Sequence, residues 1–489
     1  MFMGRNRNYF VVPLVLFVVL LAVRLFFAFQ TPFLDGASYQ HLVKAGEIVH
    51  KGVFANPVFY YLLSVVLFFS KNVFVVKVFS NLFFVLVNVL VYFIALRLSK
   101  SRLFSAISAL ISGLLPVYFS NTFNLVSPLS LGLFLFFFNI FAYLNSEKKG
   151  WVNVYIISFI VFSFTHWLVI LYVLGLAVYH LITRLEGIRK KGVELELSFF
   201  SVFFGLWAQV LVSKGLLFSL GLRLFSFNIP GVLWSSYFPA YSLPEVMSLL
   251  GVVPFFTGLY VIYKYSFERR GKGISFITSF ILVAAALFFF RLLLVNLALI
   301  VLGLLFCVFL ARWFSDFKVF ARRAKVAGFL NVLVVFIVLI ALLVVPVSVY
   351  FSFSRLKDSS QYEDIFDAVE WIKANTPEDA VILALPQEGS FVSYFSGRDV
   401  VITDDFLKFQ DIDERLDDVY RIYKTRFETE AIGLLDKYDV SYILFSDAAK
   451  KKFGMDSLSY AVGKCLNVVH EDGGLVYFKD PGCKLRVIR

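Results

Sequence analysis

One carboxylate, Asp35, stands between an apolar run that ends near residue 29 and a stretch of mixed polarity at 37–51. In that stretch Tyr39, Leu42, Val43, Gly46 and Val49 fall on one helical face, and Gln40, Lys44, Glu47 and Lys51 on the other. An Asp in this place has two chemistries open to it: it caps the helix, or it works as a catalytic acid or base. His41 and Glu47 on the same helix, His166 in "FTHW" and Glu245 in "SLPEVM" are the further candidates to line a cavity around it. Two of them also have a structural account, a hydrogen-bonded His for His166 and a helix-terminal Glu for Glu245. Arg291 sits at the tip of a tight hairpin between "SFILVAAALFFF" and "LLLVNLALIVLGL", where it must find an anion or snorkel to headgroups. Arg398 and Asp399 in "SGRDV" read as a turn before a strand. The three cysteines have no metal-ligand spacing, and a bridge between Cys465 and Cys483 requires an oxidising compartment.

The elements that carry these residues follow from composition. The 489 residues are 60% hydrophobic and 16% charged, with 61 Phe spread through long apolar runs, so lipid is the main solvent. A bilayer core of roughly 30 Å takes about twenty apolar residues per helix. Eleven spans result, at 10–29, 73–96, 103–120, 125–144, 151–165, 168–183, 198–220, 244–263, 274–290, 292–310 and 327–350. The net charge of +12 lies mostly in short loops, including Arg97, Lys100, Arg102, Lys148, Lys149, Arg184, Lys264, Arg312 and Lys318, which argues for topology and against nucleic acid. With the N-terminus cytoplasmic, these cations share one side and the C-terminus lies on the other. Segment 57–70 has only fourteen apolar residues and reads as a juxtamembrane or re-entrant helix. Helix 37–51 is expected at the membrane interface with its apolar face in the acyl boundary. From about Arg355 the chain alternates helices with the short strands "AVILAL", "DVVIT", "VSYILFS" and "GLVYFKD". The division is therefore a polytopic α-helical membrane domain at 1–354, with a first external loop at 30–72, and an extracytoplasmic α/β domain at 355–489.

"FLDGASYQHLVKAGEIVHKGVFANPVFYYLL", followed by many spans and an outer α/β domain, resembles the GT-C class of membrane glycosyltransferases. That class includes protein O-mannosyltransferases, aminoarabinose transferases and oligosaccharyltransferase catalytic subunits. The matching positions are Asp35, Tyr39, Ala45, Gly52, Pro57, Tyr60 and Tyr61, and "AVEWIKANTPEDAVILALPQEGSFVSYFSGRDVVITDD" is similar to the start of the outer domain of archaeal oligosaccharyltransferase-like proteins.

The resemblance implies transfer of a sugar from a polyprenyl (dolichyl) phosphate-linked donor to a protein, glycan or lipid acceptor outside the cytoplasm. Asp35 would be the base or acceptor-orienting acid, and Arg291 would bind the donor phosphate. Two departures bear on this. The second external loop, "YFSNTFNLVSP", has no carboxylate where oligosaccharyltransferases bind a divalent metal, and "LPQEGS" stands where their Trp-Trp-Asp-Tyr-Gly motif would be. The need for a metal stays open. The competing readings are a lipid-linked saccharide flippase or transporter, for which Arg24 and Lys77 are the chief intramembrane charges, and a non-catalytic relative.

Overall fold

The computed structural model describes residues 8–51, 58–70, 72–187, 192–267, 271–323, 330–461 and 465–483. Among the expected motif and loop positions, Gly52, Pro57, Lys71, Arg189, Lys190, Lys191, Arg269, Arg270 and Lys325 lie outside the described residues.

The first candidate span is α1 (Asn8–Ala28), and the segment after it contains α2 (Gly36–Lys51) and α3 (Phe59–Phe69). The bundle continues through α4 (Val73–Ser99), α5 (Arg102–Gly113), α6 (Pro116–Thr122), α7 (Pro128–Leu144), α8 (Trp151–Ser163), α9 (Leu168–Leu185) and α10 (Gly192–Leu220). After the short α11 (Trp234–Tyr237) come α12 (Leu243–Leu250), α13 (Val252–Phe267), α14 (Lys272–Phe289), α15 (Val295–Arg323), α16 (Leu330–Leu342) and α17 (Val344–Asn375). Seven of the described helices are long and apolar enough to cross a membrane, nine if each bent pair counts as one span, and α7 and α8 are shorter apolar helices. The eleven expected spans are reached only if α7 and α8 are counted as crossing and α3, an apolar helix of the same short class, is not.

Two of those spans are broken. Pro116 opens α6, which bends 51° from α5, because proline cannot donate into the preceding turn. Gly251, at φ 77°, turns α12 by 97° from α13, and a Cβ there would press on Pro254 and Val344. Charged contacts gather the ends of other helices on one side: Arg97 bonds Asn145, Lys264 and Arg312 pair with Asp316, and Lys272 pairs with Glu194.

At the opposite end α17 continues unbroken into the sheet domain, so the expected division at residue 355 falls inside a helix. The domain holds β1 (Val381–Leu383), α18 (Pro386–Ser396), β2 (Asp399–Val400), α19 (Ile412–Lys424), α20 (Glu428–Lys437), β3 (Val440–Phe445), α21 (Asp447–Phe453), β4 (Leu466–His470) and β5 (Leu475–Lys479). The sheet order is β2-β1-β3-β5-β4, parallel from β2 to β3 and antiparallel beyond it. The β4–β5 hairpin turns through Gly473 and Gly474, both in positive φ, and Gly473 abuts the backbone of α17. A disulfide joins Cys465 to Cys483.

The apolar face of α2 does not meet lipid. Tyr39, Leu42 and Ala45 are buried, and the Tyr39 ring packs on Phe391, Tyr394 and Phe395 of α18 and on Tyr362 of α17. Aromatic side chains of the sheet domain provide the cover expected from acyl chains.

Candidate active site at the first external loop

Asp35 occupies the N-cap of α2. Its Oδ1 accepts from the Ala37 N–H at 3.3 Å and its carbonyl from the Ser38 N–H at 2.8 Å. Oδ2 makes no hydrogen bond among the described residues, so the cap uses one carboxylate oxygen and leaves the other free.

The loop between α6 and α7 fixes this turn from one side. The Asp35 N–H donates to the Asn124 carbonyl at 3.2 Å, Asn124 Nδ2 to the Phe33 carbonyl at 3.1 Å, and the Val126 N–H to Ser38 Oγ at 3.0 Å. The sheet domain closes it from the other. Gly36 faces the Tyr362 hydroxyl, which donates to the Gln387 carbonyl at 3.2 Å, and a Cβ on Gly36 would fall on that hydroxyl. Only glycine fits between Asp35 and α17.

Two carboxylates that sequence reasoning did not single out join the site. Ser390 Oγ donates to Asp404 Oδ1 at 2.6 Å, and Lys44 Nζ pairs with Asp405 Oδ2 at 2.5 Å. Burial pushes the Asp404 carboxyl up to about 6, and the charges of Asp405 and Asp35 add to the effect, so the three carboxylates lie within electrostatic reach of one another. Burial likewise raises the Tyr237 and Tyr362 hydroxyls, with Asp35 and Asp404 contributing to both. Asn228 clamps the loop that carries the two aspartates by donating to the Phe406 and Phe409 carbonyls at 2.8 and 2.6 Å. Beside Asp405 a cleft of about 340 Å³, lined in part by Gln40, Lys44, Glu47, Ser393, Thr403 and Asp405, runs between α2 and the sheet domain.

The other candidates separate into near and far. His41 Nδ1 is 2.9 Å from the Tyr60 hydroxyl, and burial, then the Lys44 and His166 charges, holds its pKa well below the usual histidine value. His166 lies close to it but caps α9, its Nδ1 accepting from the Leu168 N–H at 3.1 Å. Glu47 is exposed at the rim of the cleft. Glu245 closes a capping box with Ser242 at the start of α12. Arg291 is exposed at the α14–α15 turn with φ 55°, and no contact among the described residues links it to Asp35. Among the described residues no three His, Cys, Asp or Glu side chains come together as metal ligands, so a divalent metal finds no ready-made ligand set.

A family model described as Dpy19, Q-cell neuroblast polarisation, matches residues 273–455, less than half of the chain. Among curated proteins none matches the sequence. Solved structures match over most of it. AglB, the archaeal oligosaccharyltransferase from Archaeoglobus fulgidus in complex with an inhibitory peptide and a dolichol-phosphate, superposes with TM-score 0.61 at 12% identity, covering 90% of this chain and 69% of its own. The apo form of the same oligosaccharyltransferase gives 0.60, also at 12%, over 88% and 69%. ArnT from Cupriavidus metallidurans bound to undecaprenyl phosphate gives 0.54 at 16%, over 95% and 97%. Helical bundle, first loop and C-terminal sheet domain together give this chain the fold of the GT-C membrane glycosyltransferases.

Proposed function

We propose that this chain is an integral membrane glycosyltransferase that moves a sugar from a polyprenyl-phosphate-linked donor to an acceptor on the sheet-domain side of the membrane. The observation that carries the reading is the half-occupied Asp35 carboxylate, held by backbone bonds on a turn that three separate segments fix. An acceptor N–H or O–H placed on the free oxygen gives up its proton as its heteroatom attacks the anomeric carbon, and the bond from that carbon to the phosphate oxygen breaks. Arg291, at the membrane rim, would receive the lipid phosphate. The polar cleft beside Asp405 suits a hydrophilic acceptor. The AglB and ArnT structures contain dolichol-phosphate and undecaprenyl phosphate, which supports this donor class.

We place the N-terminus in the cytoplasm and the sheet domain outside. The loop cations and the Cys465–Cys483 disulfide support this orientation. The few charges inside the spans already spoke against a transporter, and the two chief ones are engaged in packing. Arg24 donates to Asn81 Oδ1 and Thr122 Oγ1 at 2.8 and 2.7 Å, and Lys77 to the Ala28 and Thr31 carbonyls at the end of α1.

The test is turnover of dolichyl- and undecaprenyl-phosphate-linked sugars by purified wild type and Asp35→Asn. Asparagine caps α2 as well as aspartate does but accepts no proton, so the rate should fall by roughly 10² to 10⁴ with unchanged monodispersity. Full activity in the variant would reduce Asp35 to a cap.

A further inference from the structure

Arg355 lies half-buried on α17 where that helix leaves the bundle. Its Nη2 donates to Asn121 Oδ1 at 2.6 Å, and Asn121 in turn donates from Nδ2 to the Val117 carbonyl at 2.8 Å, so its own helix fixes the amide. Arg355 forms no ion pair among the described residues. Tyr241 stands close by: burial raises its hydroxyl and the Arg355 charge pulls it back. The same hydroxyl donates to Asn296 Oδ1 at 3.4 Å, five residues beyond Arg291. A guanidinium held half-buried on a neutral amide still has most of its donors to offer, and a planar fork suits a phosphate.

Two routes connect this guanidinium to Asp35. Asn121 is three residues before Asn124, whose carbonyl holds the Asp35 N–H. Along α17, Tyr362 follows Arg355 by seven residues on the same helical face, and its hydroxyl faces Gly36. Seven residues rise about 10 Å, so the separation is on the order of a phosphate plus one sugar ring.

We propose that Arg355, aimed by Asn121, holds the phosphate of the lipid carrier during transfer, with Arg291 as the outer contact at the membrane rim. The proposal rests on the transferase reading above. When the anomeric carbon–oxygen bond breaks, its electron pair goes to the phosphate oxygen and the Arg355 charge meets it there. The acceptor heteroatom forms the new bond, and its proton goes to Asp35. Asn121 is a positioning residue, because it acts on the phosphate through the guanidinium.

Binding of dolichyl phosphate, dolichol and phosphatidylglycerol to the purified full chain in detergent, followed by native mass spectrometry, tests this. Wild type should prefer dolichyl phosphate. Arg355→Gln should weaken dolichyl phosphate about tenfold or more and leave dolichol unchanged. Arg355→Lys should retain part of the affinity, and Asn121→Leu should lose less than Arg355→Gln. A dolichyl phosphate preference that survives Arg355→Gln and Arg355→Lys but is lost in Arg291→Gln would overturn the assignment and leave the transferase reading standing. Equal binding of phosphatidylglycerol would overturn it in favour of a bilayer headgroup site. A wild type that binds dolichol and dolichyl phosphate alike would remove the transferase reading itself.

Discussion

Gly36 separates the Asp35 carboxylate from the Tyr362 hydroxyl, and the space there is too small for one more carbon. Gly36→Ala should therefore lower thermal stability by about 1–3 kcal/mol, the usual cost of forcing an extra methyl into a packed site. Tyr362→Phe on the Gly36→Ala background removes the colliding oxygen and should restore part of the loss, as thermal unfolding of the single and double variants will show. A second residue sets a pH dependence. Glu388 is buried on α18 with Ser446 Oγ as donor to one oxygen, and burial pushes its carboxyl up to about 7 from an ordinary 4.5. The folded state thus holds this proton more tightly than the unfolded state. The associated stability is complete below about pH 4.5, declines as pH rises to about 7, and is level above that. Glu388→Gln should be neutral near pH 4 and stabilising by on the order of 1–3 kcal/mol at pH 8, read from melting curves at both values. Asp35 was legible in the sequence because a lone carboxylate after an apolar run is rare. Asp404, Asp405 and Arg355 were not, since nothing in "VITDD" or "SFSRL" ties them to a turn 320 to 370 residues upstream.

At the scale of elements, α17 is the member that joins bundle and sheet domain. It is pinned to α5 and α6 by Ser348 on the Leu114 carbonyl and Arg355 on Asn121, to α1 by the Phe353–Phe27 ring contact, and to the sheet domain by Tyr362 and by the Trp371–His470 stack. Ser360→Pro, in the exposed stretch between these contacts, should break the helix at a cost of about 3 kcal/mol or more and reduce turnover while the bundle stays folded. Circular dichroism and activity measured together check this. Most spans were legible from apolar length, and the strands β1, β2, β3 and β5 from their short apolar runs. The bend at Gly251 was not, because a run of apolar residues on both sides masks the change of direction. Strand β4 escaped for a related reason: "LNVVH" has a mostly exposed face, and only pairing with β5 makes it a strand.

For the whole molecule, the orientation gives two expected outcomes. A single cysteine at exposed Lys451 should be labelled by an impermeant maleimide in intact cells, and one at exposed Lys149 only after permeabilisation. The opposite pattern would invert the topology. Cys465 and Cys483 are separated by 18 residues, so replacing both with serine should cost the sheet domain about 3 kcal/mol, measurable as a lower Tm.

The walls of the Asp35 turn come from residues near 124, 362, 390 and 404, so that with Asp35 itself the site draws on about three quarters of the chain. Synthesis delivers them in order, so Asp35 emerges long before the helix and loop that frame it. A nascent chain, or one cut short anywhere before β2, carries the carboxylate without its enclosure. On the proposed reading, competence for chemistry waits for the residues near 404, and a product truncated before them is expected to be inert.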